Sequence, residues 1–190
     1  MKWILIRHGM TQGNREKRYV GSGTDEPLCP EGIAKLKQNY YPIVKYVYCS
    51  PMRRCLETAE IIYPGIKPEI IPDFRECNFG VFEYHNYEEL NGRQDYQAWI
   101  DSGGEFPFPD GESRAEFSAR CVKAFETLKN EAPQEDCALI VHGGTIMAIM
   151  EAMAEPRENY YDYMVGNGCG YILRENGTYV RIPSPLQAGQ

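Results

Sequence analysis

The sequence lacks any long apolar run. Nothing in it approaches the ~18 consecutive apolar residues of a membrane span, and the apolar stretch ahead of Arg7 is too short for a secretory signal. No run of Lys or Arg exceeds two residues and the formal charge is −7, so the basic surface that a nucleic-acid backbone requires is missing. The seven cysteines are odd in number and no two stand in C-x-x-C spacing, which argues against a disulfide framework and against a zinc site. None has Arg six positions on, as a cysteine phosphatase would need. There is also no G-x-x-x-x-G-K-[ST] loop and no H-E-x-x-H helix. These absences lead to the expectation of a cytoplasmic chain with reduced thiols, no metal, no cofactor, and neither nucleic acid nor membrane as partner. A small anionic ligand is still allowed where positive charge is concentrated locally.

What is present is a chain of 190 residues, 43% hydrophobic and 25% charged, long enough to bury one substantial core. A single domain over 1–190 is expected. Apolar runs at Trp3 to Arg7, Tyr46 to Cys49 and Cys137 to Val141 read as strands, each followed by helix signals, the alternation of parallel β-α units. Ser50-Pro51 reads as an N-cap and first helical residue, with the helix continuing from Met52 to Ile62, and Pro30-Glu31 opens another. The longest helix starts near Glu112, where Phe117, Cys121, Phe125 and Leu128 recur at helical spacing and predict one buried stripe. Near the end, two short strands flank Asn176-Gly177, a dipeptide preferred in type I′ hairpin turns, so an antiparallel element is expected to finish the sheet. The tail from Pro183 to Gln190 is expected to trail in solvent. Residues 81–110 carry many aromatics interspersed with Asn, Asp, Gly and Pro and no sustained period. They read as an aromatic-rich insertion, helical in part, that covers something.

One internal echo bears on function. An apolar strand followed by His-Gly occurs twice, as I-L-I-R-His8-Gly9 and as A-L-I-V-His142-Gly143. In parallel α/β sheets the ligand crevice lies beyond the carboxyl ends of the strands, where both histidines and the start of the helix after Ser50 fall.

With these pieces together the sequence resembles the histidine phosphatase superfamily, the phosphoglycerate-mutase-like fold, and within it the small bacterial phosphatase branch that includes α-ribazole phosphatase-like proteins. The residues that carry the resemblance are Arg7-His8-Gly9-Met10-Thr11-Gln12-Gly13-Asn14, Asp25-Glu26-Pro27-Leu28 with Gly32, Ser50-Pro51-Met52-Arg53-Arg54 with Thr58-Ala59, Phe74-Arg75-Glu76-Cys77-Asn78-Phe79-Gly80, Gly111-Glu112-Ser113 and Val141-His142-Gly143-Gly144. Two departures stand out. Val81-Phe82-Glu83-Tyr84 replaces the family's usual Trp-Glu-Gly region, and the loop from Gly21 to Asp25 is one residue longer; both lie near the expected substrate mouth.

The resemblance implies a three-layer αβα sandwich with a mostly parallel central sheet. It also implies a phosphomonoester hydrolase acting through a phosphohistidine on His8. Cleavage needs a nucleophile, donors for the phosphoryl oxygens and a proton for the leaving group. Neutral His8 supplies the first; Arg7, Arg54, His142, Asn14 and the Gly143 amide supply donors. Glu76 is the expected proton donor, with Glu83 and Glu112 as alternatives. Asn14 and Thr11 have the second reading of capping a short helix, and His85 that of a solvated or specificity residue. Because neighbours on a strand face opposite ways, Arg7 and His8 can cooperate only if the backbone leaves strand geometry by Gly9. The partner expected is a small phosphorylated metabolite, bound by a monomer or homodimer. A phosphoglycerate-mutase-type transferase and a noncatalytic binding protein of the same fold are the rival readings.

Overall fold

The structure is a computed structural model and describes residues 1–183. In chain order the elements are β1 (Lys2–Arg7), α1 (Gln12–Arg15), α2 (Pro30–Gln38), β2 (Tyr46–Cys49), α3 (Arg53–Ile62), β3 (Glu69–Ile70), α4 (Tyr87–Leu90), α5 (Gln94–Asp101), α6 (Arg114–Glu131), β4 (Cys137–Val141), α7 (Gly143–Met153), β5 (Gly170–Arg174) and β6 (Tyr179–Ile182). Short 3-10 turns lie at Pro72–Phe74, Gly80–Phe82 and Tyr160–Tyr163.

The six strands form one sheet in the order β3-β2-β4-β1-β5-β6. The first four are mutually parallel; β5 and β6 run antiparallel, as the hairpin signal predicts. Alternation along each strand sorts side chains into two layers. Trp3 and Leu5 of β1, with Cys137, Leu139 and Val141 of β4, join Phe125, Leu128 and Ile149 from α6 and α7 in one core. Ile4 and Ile6, with Ala138 and Ile140, join Leu36, Cys55 and Ala59 from α2 and α3 in the other. This is the three-layer sandwich expected from the sequence. The stripe on α6 is buried as predicted; Phe117, Phe125 and Leu128 each contribute about 1.5–3 kcal/mol of burial. Ser113 caps that helix in a capping box with Glu116.

Two local expectations are corrected. Helix α3 starts at Arg53 with Met52 as N-cap and no side-chain cap, because the Ser50 hydroxyl bonds to an imidazole instead. At the β5–β6 hairpin, Gly177 has positive φ (83°) but Asn176 does not, so the connection is not a type I′ turn. Gly177 donates to the Arg174 carbonyl and Arg174 to the Thr178 carbonyl, a type I turn closed by a glycine bulge. The tail expectation lies outside the described residues beyond Pro183. No helix among the described residues is long and apolar enough to cross a membrane.

Candidate active site

The site lies at the carboxyl edge of the two central strands. Because β1 and β4 are parallel neighbours with Arg7 opposite Val141, the next residues, His8 and His142, emerge side by side just past the sheet. β1 ends at Arg7, so His8 has already left strand geometry, while its amide still donates to the Val141 carbonyl at 2.9 Å. The two imidazoles are buried, with ring centroids 5.2 Å apart.

His8 Nδ1 lies 2.7 Å from the Gly9 carbonyl. A carbonyl only accepts, so Nδ1 carries the hydrogen and Nε2 keeps its lone pair. Burial, reinforced by Arg54 and Arg7, lowers the His8 pKa well below the ordinary histidine value, which keeps the ring neutral. The Gly9 amide is tied to Thr58 Oγ1 at 2.9 Å, fixing the loop after the nucleophile candidate to α3.

Arg54, in the first turn of α3, is completely buried. Its terminal nitrogens donate to the carbonyls of Thr24 (2.8 Å), Gly21 (3.1 Å) and Val20 (3.4 Å), so the longer 21–25 loop noted in the sequence acts as its clamp. Arg7 donates through Nη1 to the Val165 carbonyl at 2.7 Å. In both guanidinium groups Nε is buried with no hydrogen-bond partner. An orphaned charged donor costs about 1–3 kcal/mol or more, and both guanidinium groups lie close enough to His8 to act on its charge, an arrangement able to hold an oxyanion. Gly143 opens α7 beside Arg7, where a Cβ would stand in ordinary van der Waals contact with the guanidinium, 3.4 Å from Nε, and the first amides of that helix lack intrahelical partners.

Of the three carboxylates considered, Glu112 is committed to Arg120 (2.8 Å) and to the Asn78 amide (2.9 Å). Glu83 accepts from the Gly21 amide at 2.7 Å and so braces the loop that holds Arg54. Glu76 is buried, accepts from the Cys77 amide at 2.9 Å and places Oε2 3.8 Å from His142 Nδ1. Burial raises its pKa against the opposing pull of the Cys77 amide and of Arg54, Arg7 and Arg120. His142, by contrast, is pushed well below the ordinary value by burial and then by Arg54, His8 and Arg7.

Asn14 and Thr11 form a capping box on α1, so the Asn14 amide oxygen is engaged by the Thr11 amide. That oxygen also accepts from Asn167 Nδ2 at 3.0 Å, and the same amide group lies 3.2 Å from the His8 carbonyl. Asn167 thus links the His8 backbone to Asn14. Sequence reading missed it: in Gly166-Asn167-Gly168 it looks like turn punctuation. His85 donates through Nδ1 to the Glu83 carbonyl and lies outside the cluster.

A cavity of about 370 Å³ opens from Arg7, Glu76 and Gly143. Tyr19, Phe79, Trp99, Phe108, Tyr160 and Tyr161 contribute aromatic faces to its wall, and Arg114 a cation. Segment 81–110 contributes Trp99 and Phe108, stacked at 4.9 Å, through α5 and the following loop. The insertion therefore forms part of the wall of this cavity. Among the described residues no group of three or more His, Cys, Asp and Glu side chains is placed to hold a metal ion.

The model of the histidine phosphatase superfamily (branch 1) matches residues 3–183. The adenosylcobalamin/alpha-ribazole phosphatase of Escherichia coli K12 is 27% identical, over 96% of this chain and 94% of its own length. The probable phosphoglycerate mutase GpmB of Escherichia coli O1:K1 is 31% identical over 77% of this chain and 71% of its own. Among solved structures, the alpha-ribazole phosphatase of Shigella flexneri superposes with a TM-score of 0.81 at 25% identity, covering 95% of this chain and 94% of that one.

Proposed function

The chain belongs to branch 1 of the histidine phosphatase superfamily, and from that premise we propose that it hydrolyses a small phosphomonoester through a phosphohistidine on His8. The observation that carries the reading is the His8 hydrogen bond: with Nδ1 donating to Gly9, Nε2 is the free lone pair, in a neutral ring beside the buried Arg54 and the half-buried Arg7.

In the first step Nε2 attacks phosphorus in line, the bond from phosphorus to the alcohol oxygen breaks, and the Glu76 carboxylic acid gives its proton to that oxygen. In the second, water attacks the phosphohistidine, Glu76 takes the water proton, the P–N bond breaks and inorganic phosphate leaves. Arg7, Arg54, His142, Asn14 and the Gly143 amide donate to the phosphoryl oxygens, with the two arginines supplying the positive charge and neutral His142 an N–H, without a metal. Losing one such donor costs about 2.7–4 kcal/mol in the transition state.

The leaving group is read from the cavity. Its aromatic walls beside Arg7 and Glu76 suit an alcohol with a planar or apolar portion, as in the relatives named for α-ribazole. The mutase alternative calls for a pocket that binds a second small anionic substrate; besides Arg7 the cation in these walls is Arg114, which is paired with Glu105, and the aromatic remainder favours hydrolysis. Brief incubation with a phosphorylated substrate, then acid-labile label counting, tests the reading. Wild-type protein is expected to carry label and His8→Ala none; equal labelling of both removes His8 as nucleophile.

A further inference from the structure

Ser50, fully buried at the end of β2, holds its hydroxyl 2.8 Å from His142 Nε2. The same oxygen accepts from the Met52 amide at 3.4 Å. Its hydrogen must therefore go elsewhere, and the acceptors in reach are the imidazole nitrogen and the Cys55 sulfur. Burial pushes the Cys55 thiol up to about 12, so it stays a thiol, a poor acceptor beside an imidazole lone pair. We propose that Ser50 is a positioning residue whose O–H, donated to His142 Nε2, locks His142 in the tautomer that carries its hydrogen on Nδ1 and so turns an N–H donor toward Glu76 and the phosphoryl site.

The surroundings support that choice. His142 is faced by Arg54 and Cys55 from α3, Arg7 and His8 at the end of β1, Arg120 from α6, and Glu76. Glu76 Oε2 lies 3.8 Å from Nδ1, beyond a direct hydrogen bond, leaving the Nδ1 hydrogen for an incoming oxygen. In the opposite tautomer a lone pair at Nδ1 would face a carboxyl oxygen, and the site would lose a donor. The Ser50 assignment extends the phosphatase reading, and only its kinetic consequence rests on that reading.

The chain has three histidines, His8, His85 and His142, so the tautomers can be read directly from the full-length protein labelled with ¹⁵N-histidine, with His8→Ala and His85→Gln used for assignment. Long-range ¹H–¹⁵N correlation at neutral pH is expected to show His142 protonated at Nδ1 and bare at Nε2. A wild-type His142 protonated at Nε2 overturns the proposal without any variant. In Ser50→Ala the proton is expected to move wholly or partly to Nε2, and in Ser50→Thr, which keeps the hydroxyl, to stay at Nδ1; an unchanged tautomer in Ser50→Ala also overturns it. Kinetically, Ser50→Ala should lower kcat/KM for an alkyl phosphate by about 10²-fold, the loss expected when an oxyanion donor is withdrawn. Absence of phosphohistidine in wild-type protein would count against the phosphatase reading and leave the tautomer result standing.

Discussion

His8 and His142 sit with ring centroids 5.2 Å apart, yet each ring is held from a different side: His8 by the carbonyl of Gly9 next to it, His142 by the hydroxyl of Ser50 at the end of another strand. Two neutral imidazoles can share one cradle with two guanidinium groups; two imidazolium ions could not without strong repulsion. That neutrality sets the pH behaviour.

In the proposed mechanism His8 attacks as the free base, and its pKa lies well below the ordinary value, so kcat/KM should hold on acidification past pH 6.5 and fall only below it. The proposed acid is Glu76, whose pKa lies above the ordinary carboxyl value, so kcat/KM for an alkyl phosphate should decline as pH rises through that raised pKa. Rate profiles with an alkyl phosphate check both limbs. An acid limb at or above 6.5 would contradict the neutral His8.

Glu76→Gln should slow an alkyl phosphate by about 10²–10⁴-fold and erase its alkaline limb, while p-nitrophenyl phosphate, whose leaving group scarcely needs a proton, suffers far less in kcat/KM. If Glu83→Gln or Glu112→Gln gives that selective loss instead, the acid is misassigned.

The same substitution should stabilise the fold. A raised folded pKa means that the native state binds this proton more tightly than the unfolded chain; stability from it is fully present below pH 4.5 and is lost as pH rises through the folded pKa. Gln is neutral throughout, so the Tm of Glu76→Gln should match wild type near pH 4 and exceed it at neutral pH. Thermal melts at the two pH values provide the comparison.

Trp99→Ala should raise KM for an aromatic phosphomonoester by up to about tenfold, since an aromatic pair is worth about 0.5–1.5 kcal/mol. A small alkyl phosphate should be turned over as before. Equal losses on both would show that Trp99 supports the fold of the 81–110 segment rather than the leaving group.

Exhaustive EDTA treatment should leave activity unchanged, and vanadate should inhibit competitively by occupying the arginine cradle. Activity lost to EDTA and restored by Mg²⁺ or Zn²⁺ would refute a metal-free reaction.

Much of this geometry was legible beforehand because strands write their ends into the sequence. Two apolar runs each closing on His-Gly mark adjacent carboxyl ends, and the alternation of side chains along a strand requires the chain to turn at Gly9. The stripe Phe117, Cys121, Phe125 and Leu128 was legible for the same reason, a period matched to one face. Ser50 was misread because a Ser-Pro pair before a helix has the local signature of a cap. Its hydroxyl instead pairs with an imidazole 92 positions away, a partner that no local pattern reveals. Asn167 escaped because its task is to bridge backbone carbonyls, which have no sequence identity. Segment 81–110 showed no period because its rings pack against one another and around a cavity rather than along one helical face.

The placement of the two histidines on neighbouring central strands has a consequence for how the molecule breathes. Native-state hydrogen exchange should report the amides of β1 and β4 among the slowest, since opening them requires breaching both cores at once, whereas the amides of the 81–110 segment should exchange through local excursions at far lower free energy.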